Sequence, residues 1–308
     1  MNRQAWSINA KGDHWSIVFF LSPLLVLCCL LSCTPNVDIK EGQHHFVELD
    51  GLRLHYVGYG KGQEAIVFIH GWTCDSSFWR FQIPAFKKGS NLIVVDLPGH
   101  GQSDKPPIVY TQDLFARAVN ATLVDAGIER VVLVGHSMGM SVARQFIRKY
   151  PDKARSLVNV AGAFYRMPKD QLKLRAWMEG NAGFVQRFKG PDYKAVAGRF
   201  IDSMFVEETP VQLREQIKAV MLSTPQHVAV SALEAFGDPR LWQEDAVTLP
   251  TLAIYAQRSD LPADTGSYLR RLFPNLEFQQ WEGCGHFLFM EQPARFNKTL
   301  LEFLAEHG

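Results

Sequence analysis

The chain has 308 residues, enough for one large domain or for a domain carrying an insertion. Its formal net charge is +1, so it has no electrostatic footprint for a nucleic-acid partner. At 47 % hydrophobic and 20 % charged, its composition is ordinary for a globular protein.

The first thirty or so residues stand apart. Arg3, Lys11 and His14 precede an apolar stretch over residues 17–31, broken only by Ser22 and Pro23. A basic region followed by an apolar core of this length reads as a secretory signal, and it is short of the roughly 20 residues a membrane span needs. The stretch ends Leu30-Leu31-Ser32-Cys33, which resembles the bacterial lipoprotein box. That resemblance makes residues 1–32 a leader, Cys33 the lipidated residue and residues 33–44 a tether; the alternative is a signal anchor that stays attached, or an uncleaved tail. It implies a lipid-anchored protein of the bacterial cell envelope. Thr34, where an Asp would favour inner-membrane retention, points to the outer membrane. Cys28 and Cys29 fall in the apolar stretch, which leaves Cys74 and Cys284 for the folded part, too few for a disulfide framework.

Residues 45–59 alternate apolar and polar around Asp50-Gly51, the signature of a two-residue hairpin at a sheet edge. Residues 65–69 (AIVFI) form a buried strand that runs into His70-Gly71-Trp72-Thr73-Cys74. An amphipathic segment over residues 76–86 predicts a helix. Residues 91–95 (NLIVV) give the next strand, running into Asp96-Leu97-Pro98-Gly99-His100-Gly101-Gln102-Ser103. The glycines make that stretch a structural turn, with Asp96 accepting nearby N–H groups. A helix over residues 112–126 stops at Gly127.

The stretch RVVLVGHSMGMSVAR, residues 130–144, organises the rest. A β-branched run turns through Gly135-His136-Ser137-Met138-Gly139 into a helix. This is the nucleophile-elbow spelling, in which a strained strand-to-helix turn projects the serine clear of the sheet and the glycines keep side chains out of a crowded backbone. The helix N-terminus then offers N–H groups to a developing oxyanion.

A strand over residues 154–160 follows, and then strands cease. From about residue 164 to 242 helical segments succeed one another, and Thr209-Pro210 and Thr224-Pro225 read as N-cap and first-turn pairs. Strands resume at residues 250–256 and 276–281, and a helix over residues 293–306 closes the chain. The expected architecture is α/β: a mostly parallel, doubly wound sheet from residues 45–163 and 243–308, with an all-helical cap inserted over residues 164–242. Ligands in such sheets bind beyond the carboxyl ends of the strands.

His70-Gly71, the Asp96–Ser103 turn, Gly135-His136-Ser137-Met138-Gly139, Asp260 and Gly285-His286 together resemble the α/β-hydrolase fold superfamily, in its small serine-esterase branch. The resemblance spans residue 46 to the C-terminus. It implies a triad of Ser137, Asp260 and His286, with Asp264 as the alternative acid. It also implies an oxyanion hole from the backbone N–H groups of Trp72 and Met138. His70 and His100 take structural roles, and the His136 side chain should point away from the reacting centre. No metal and no organic cofactor is implied. The expected substrate is a small to medium, apolar carboxylic ester, cleaved through an acyl-enzyme. The same triad also serves carbon–carbon cleavage, lactone hydrolysis or perhydrolysis, and a non-catalytic binder is the reading from another class. Cys74 and Cys284 fall on loops at one end of the sheet, where they could form a disulfide or remain separate buried residues. Trp177, Met178, Phe184, Phe188, Phe200, Met204, Phe205, Met221 and Phe236 supply the apolar core and pocket wall of the cap.

Overall fold

The structure, a computed structural model, describes residues 42–258 and 261–308. Cys33, the apolar stretch before it and Asp260 lie outside those residues. Eight strands form one sheet: β1 (Gln43–Leu49), β2 (Leu52–Tyr59), β3 (Glu64–Ile69), β4 (Leu92–Val95), β5 (Arg130–His136), β6 (Ala154–Val160), β7 (Thr251–Ala256) and β8 (Leu276–Trp281). Their order is β1-β2-β4-β3-β5-β6-β7-β8, with β2 antiparallel to both neighbours and every other pair parallel. The fold is that of an α/β hydrolase. The expected hairpin is there: Leu49 pairs with Leu52, and Asp50 and Gly51 take φ of 51° and 78°, the left-handed geometry of a two-residue turn.

The strands β3 to β7 are almost wholly buried because helices cover both faces. Those helices begin with α1 (Ile83–Phe86), α2 (Gln112–Asp125) and α3 (Met138–Lys149). The helix expected over residues 76–86 is instead a 3-10 turn at Ser76–Trp79 followed by the single turn of α1. Asp75 caps the first piece through Ser77 N–H, and Pro84 opens the second. Four helices fill the stretch between β6 and β7: α4 (Gln171–Gln186), α5 (Tyr193–Asp202), α6 (Val211–Met221) and α7 (Gln226–Ala235). The chain then adds α8 (Thr265–Leu272), α9 (Leu288–Glu291) and α10 (Pro293–His307). Among the described residues no helix is long and apolar enough to cross a membrane.

The two Thr-Pro pairs do not cap helices as the sequence suggests. Pro210 and Pro225 themselves occupy the N-cap positions. This frees both threonine hydroxyls to reach across to the core. Thr209 Oγ1 donates to Glu291 at 2.8 Å, and Thr224 Oγ1 donates to the carbonyl of Thr73 at 3.1 Å.

Chain direction puts the loops after β3, β5, β6, β7 and β8 at one edge of the sheet. The strand order reverses at β3, which lies between β4 and β5. Asp96, at the end of β4, ties this edge together. Its buried carboxylate accepts from His55 Nδ1 at 2.7 Å, Ser76 N–H at 2.7 Å and Gln102 N–H at 2.9 Å. Burial pushes its pKa up, but these donors outweigh burial and leave it below the usual carboxylate value. A Cβ on Gly101 would lie 2.1 Å from Asp96 Cγ, so the turn has room only for glycine. Asp96→Ala would strand three buried donors, and chemical denaturation should show a loss of about 3–5 kcal/mol.

Candidate active site

Ser137 sits at the junction of β5 and α3 with φ 52° and ψ −115°, a conformation costly for a residue with a Cβ. Three glycines make that turn possible. A Cβ on Gly139 would lie 2.3 Å from the carbonyl oxygen of Ile69, and one on Gly135 would lie 2.6 Å from that of Gly139. A Cβ on Gly71 would lie 2.9 Å from His136 Nδ1 and 3.1 Å from Ser137 Cβ. The loop after β3 therefore runs directly against the elbow. The Ser137 N–H is used by the carbonyl of Val160 at 2.9 Å, which pins the turn to β6. Met138 is the first residue of α3, so its N–H is one of those a helix leaves without an intrahelical acceptor.

Trp72 follows Gly71, and its indole faces the helical insertion. Nε1 donates to the carbonyl of Ala229 at 2.8 Å, and the ring meets Phe188 and Phe200 edge-on at 5.8 and 5.6 Å. His70 locks the same loop. Its Nδ1 donates to the Gly71 carbonyl at 2.8 Å, while Nε2 accepts from Leu97 N–H at 3.0 Å. That pattern requires the neutral ring, consistent with burial lowering its pKa. His100 packs on His70 at 5.0 Å and donates from Nδ1 to the Pro98 carbonyl at 2.9 Å. Burial pushes it down to about 3. Both therefore serve the loops structurally.

His286, between β8 and α9, reaches the same place. Its ring centroid lies 4.8 Å from that of His136, the residue before Ser137. The expectation that His136 points away from the site needs correction. Its ring packs between His286 and Phe289, and Nε2 donates to the His286 carbonyl at 3.1 Å. Burial, with repulsion from His286 and His70, holds His136 well below its usual value, so it stays neutral. Its Nδ1 has no partner among the described residues. No local signal in the sequence marks it as a support for the His286 loop.

Asp260 lies outside the described residues. Arg258 and Leu261, on either side of residues 259–260, line one cavity of about 550 Å³ together with His286. The alternative acid, Asp264, is paired with Arg166 at 2.8 Å on the exposed side of that cavity. The remaining wall is largely apolar and includes Ala161, Phe164, Phe200, Met204, Tyr255 and Leu269. Of the apolar insertion residues, Phe200 and Met204 reach the cavity, Phe188, Met221 and Phe236 are buried, and Met178 is 43 % exposed.

Cys74 and Cys284 are free and buried, so the possible disulfide is not formed. Each thiol donates to a different carbonyl, that of Trp72 for Cys74 and that of Trp281 for Cys284. Burial pushes Cys284 up to about 11 and Cys74 well above its usual value, so neither is a ready nucleophile.

With this geometry in place, the known relatives can be compared. Residues 64–293 match the alpha/beta hydrolase fold family, and the chain belongs to it. A 2-hydroxy-6-oxononadienedioate/2-hydroxy-6-oxononatrienedioate hydrolase of Paraburkholderia phymatum is 32 % identical over 83 % of this chain and 92 % of its own. Among solved structures, Est816, described as an N-acyl homoserine lactone degrading enzyme, is 26 % identical with a TM-score of 0.69, over 84 % of this chain and all of its own. A thermophilic esterase from Thermogutta terrifontis is 24 % identical with a TM-score of 0.72, over 86 % of this chain and all of its own; this likeness is one of fold. The protein is an α/β hydrolase.

The buried neutral histidines set a pH dependence. An unfolded chain protonates histidine at about pH 6.5, whereas His70, His100 and His136 resist protonation in the fold. Their contribution to stability is complete above about pH 6.5 and is lost as the pH falls, down to about 3 for His100. Each contributes a slope of up to about 1.4 kcal/mol per pH unit in that window. Urea midpoints measured from pH 7 to 4 should fall for the wild type and fall less steeply for His100→Gln.

Proposed function

We propose that the protein is a serine hydrolase that cleaves a small to medium, largely apolar carboxylic ester through an acyl-enzyme. The observation that carries this reading is the strained Ser137 at the head of α3, with the Gly71 loop against it and the His286 ring packed on the preceding residue, His136. A serine hydroxyl is a weak nucleophile at neutral pH and needs an adjacent base. In the proposed mechanism His286 takes the Ser137 proton as Oγ attacks the carbonyl carbon. The carbonyl oxygen becomes the oxyanion and is held by the N–H groups of Trp72 and Met138. Because the Trp72 indole is bonded to Ala229, only its backbone serves the oxyanion. As the tetrahedral intermediate collapses, His286 passes its proton to the departing alkoxide. Water, activated by the same imidazole, then releases the acid. Asp260 orients the imidazole and offsets its charge. The pairing of Asp264 with Arg166 favours Asp260 for that role.

A second reading, cleavage of a carbon–carbon bond, is favoured by the 32 % identity to the dienedioate hydrolase. Apolar residues make up most of the cavity wall. Of its two arginines, Arg166 is neutralised by Asp264, and Arg258 bonds the carbonyls of Ser203 and Met204. A neutral acyl group suits that wall better than a dianion does. Hydrolysis of p-nitrophenyl esters of increasing acyl length should proceed with the wild type and fall roughly 10⁴-fold or more in Ser137→Ala. Turnover of a vinylogous 1,5-diketone acid with no turnover of any ester would move the assignment to carbon–carbon cleavage.

We also propose that the protein is anchored in the bacterial envelope through a lipid on Cys33, an inference from the sequence of the leader alone. Cells fed radioactive palmitate should label the wild type but not Cys33→Ala. Equal labelling of both would refute lipidation at that residue.

A further inference from the structure

The helical insertion supplies more than a wall. The stretch from Ser203 to Thr209, between α5 and α6, meets the base loop at several points. His286 N–H donates to the carbonyl of Met204 at 2.9 Å. Arg258 donates to the same carbonyl at 3.1 Å and to that of Ser203 at 2.9 Å. Phe205 packs on Phe287 with ring centroids 5.6 Å apart. A Cβ on Gly285 would lie 2.6 Å from the Met204 oxygen, so the residue before the base must be glycine for the two backbones to meet. Phe200, Ser203 and Met204 also line the cavity.

Glu291, the last residue of α9, closes this junction. One carboxylate oxygen accepts from Gly285 N–H, and the other accepts from Thr209 Oγ1 at 2.8 Å. Thr209 is buried, and its hydroxyl also accepts from Val206 N–H at 3.2 Å. Arg214 holds the carbonyls of Val206, Glu207 and Thr209 at 2.6 to 2.8 Å. The carboxylate therefore bridges a stiffened piece of the insertion to the residue immediately before His286.

We propose that Glu291 and Thr209 are positioning residues, forming a latch through which the seated insertion fixes the His286 loop for catalysis. The latch touches neither Ser137 nor the cavity, so it acts through His286 and not on the substrate. It makes the position of the cavity wall and the position of the base one variable. A substrate that seats the Ser203–Thr209 stretch thereby also sets the imidazole. The proposal rests on the reading of His286 as the base.

The test uses the full chain with four substitutions. Thr209→Val removes the donor to Glu291, and Glu291→Ala removes both acceptors. Thr209→Ser and Glu291→Gln keep both links, since an amide can accept from Gly285 and donate to the Thr209 hydroxyl. Small misplacements of a catalytic group cost up to about 100-fold in rate. Thr209→Val and Glu291→Ala should therefore lower kcat on a p-nitrophenyl ester by roughly 10- to 100-fold per phosphonate-titrated Ser137. KM should stay within about threefold, and the two conservative variants should restore kcat. A purely structural role would lower thermal stability and leave kcat per titrated site unchanged, which would overturn the proposal.

Hydrogen exchange at the Gly285 and His286 amides gives a readout that needs no turnover. Exchange there should rise at least about tenfold in the two disruptive variants and return to the wild-type rate in the conservative ones. Unchanged exchange refutes the latch whether or not the enzyme cleaves esters. Conversely, full ester turnover by His286→Ala refutes the base assignment, even if the exchange rates change as expected.

Discussion

The upper edge of the sheet depends on how closely α3 approaches the end of β3. No side chain fits between them, because a Cβ on Gly139 would stand 2.3 Å from the Ile69 carbonyl oxygen and 2.7 Å from that of His70. The same absence of a side chain at Gly135 lets strand and helix meet backbone to backbone, and at Gly71 it leaves room for the side chains of His136 and Ser137. Ser137 is held in a conformation it would not choose, and it stays there because its neighbours over-determine it. Thr73 and Ala161, on the neighbouring loops, share its positive φ.

Around that contact the polar groups are fixed in both protonation and direction. His70, His100 and His136 are buried and neutral, and each gives its proton to a particular backbone carbonyl. Asp96 takes the opposite course and stays charged in the interior, because three donors surround it. Low dielectric makes each of these arrangements costly to leave half-satisfied, so the loops they hold have few alternatives. Three atoms here, Nδ1 of His136, Nε2 of His100 and Oγ1 of Thr73, have no hydrogen-bond partner among the described residues.

The helical insertion is tied to the core by polar links that end on the loops of the site. Trp72 reaches Ala229, Thr224 reaches Thr73, Thr209 reaches Glu291, and His286 reaches Met204. Members of the family share the core and differ in substrate, and substrate choice lives in what is laid over the strand ends. In this chain the segment that shapes the cavity is also bonded to the loop that carries His286. A change of pocket shape is therefore transmitted to the proposed base through hydrogen bonds and not through apolar packing alone.

The sequence by itself determined what is local. The Asp50-Gly51 hairpin, the buried strands, the elbow around Ser137 and the glycine-bounded turn after Asp96 are each specified by residues within a few positions of one another. Turn geometry and two-residue or 3.6-residue periodicity act over that range. Only the tertiary structure decided which distant groups meet. The Thr-Pro pairs read as helix caps, yet Thr209 and Thr224 spend their hydroxyls on partners 82 and 151 residues away along the chain. His136, expected to point away from the reacting centre, bonds the carbonyl of His286, 150 residues further on. Glu291 carried no sequence signal, because a carboxylate on a helix end is ordinary until Gly285 and Thr209 are brought beside it. A side chain's local propensity is written in its neighbours, whereas its hydrogen-bond partner is chosen by packing that brings remote segments within about 3 Å.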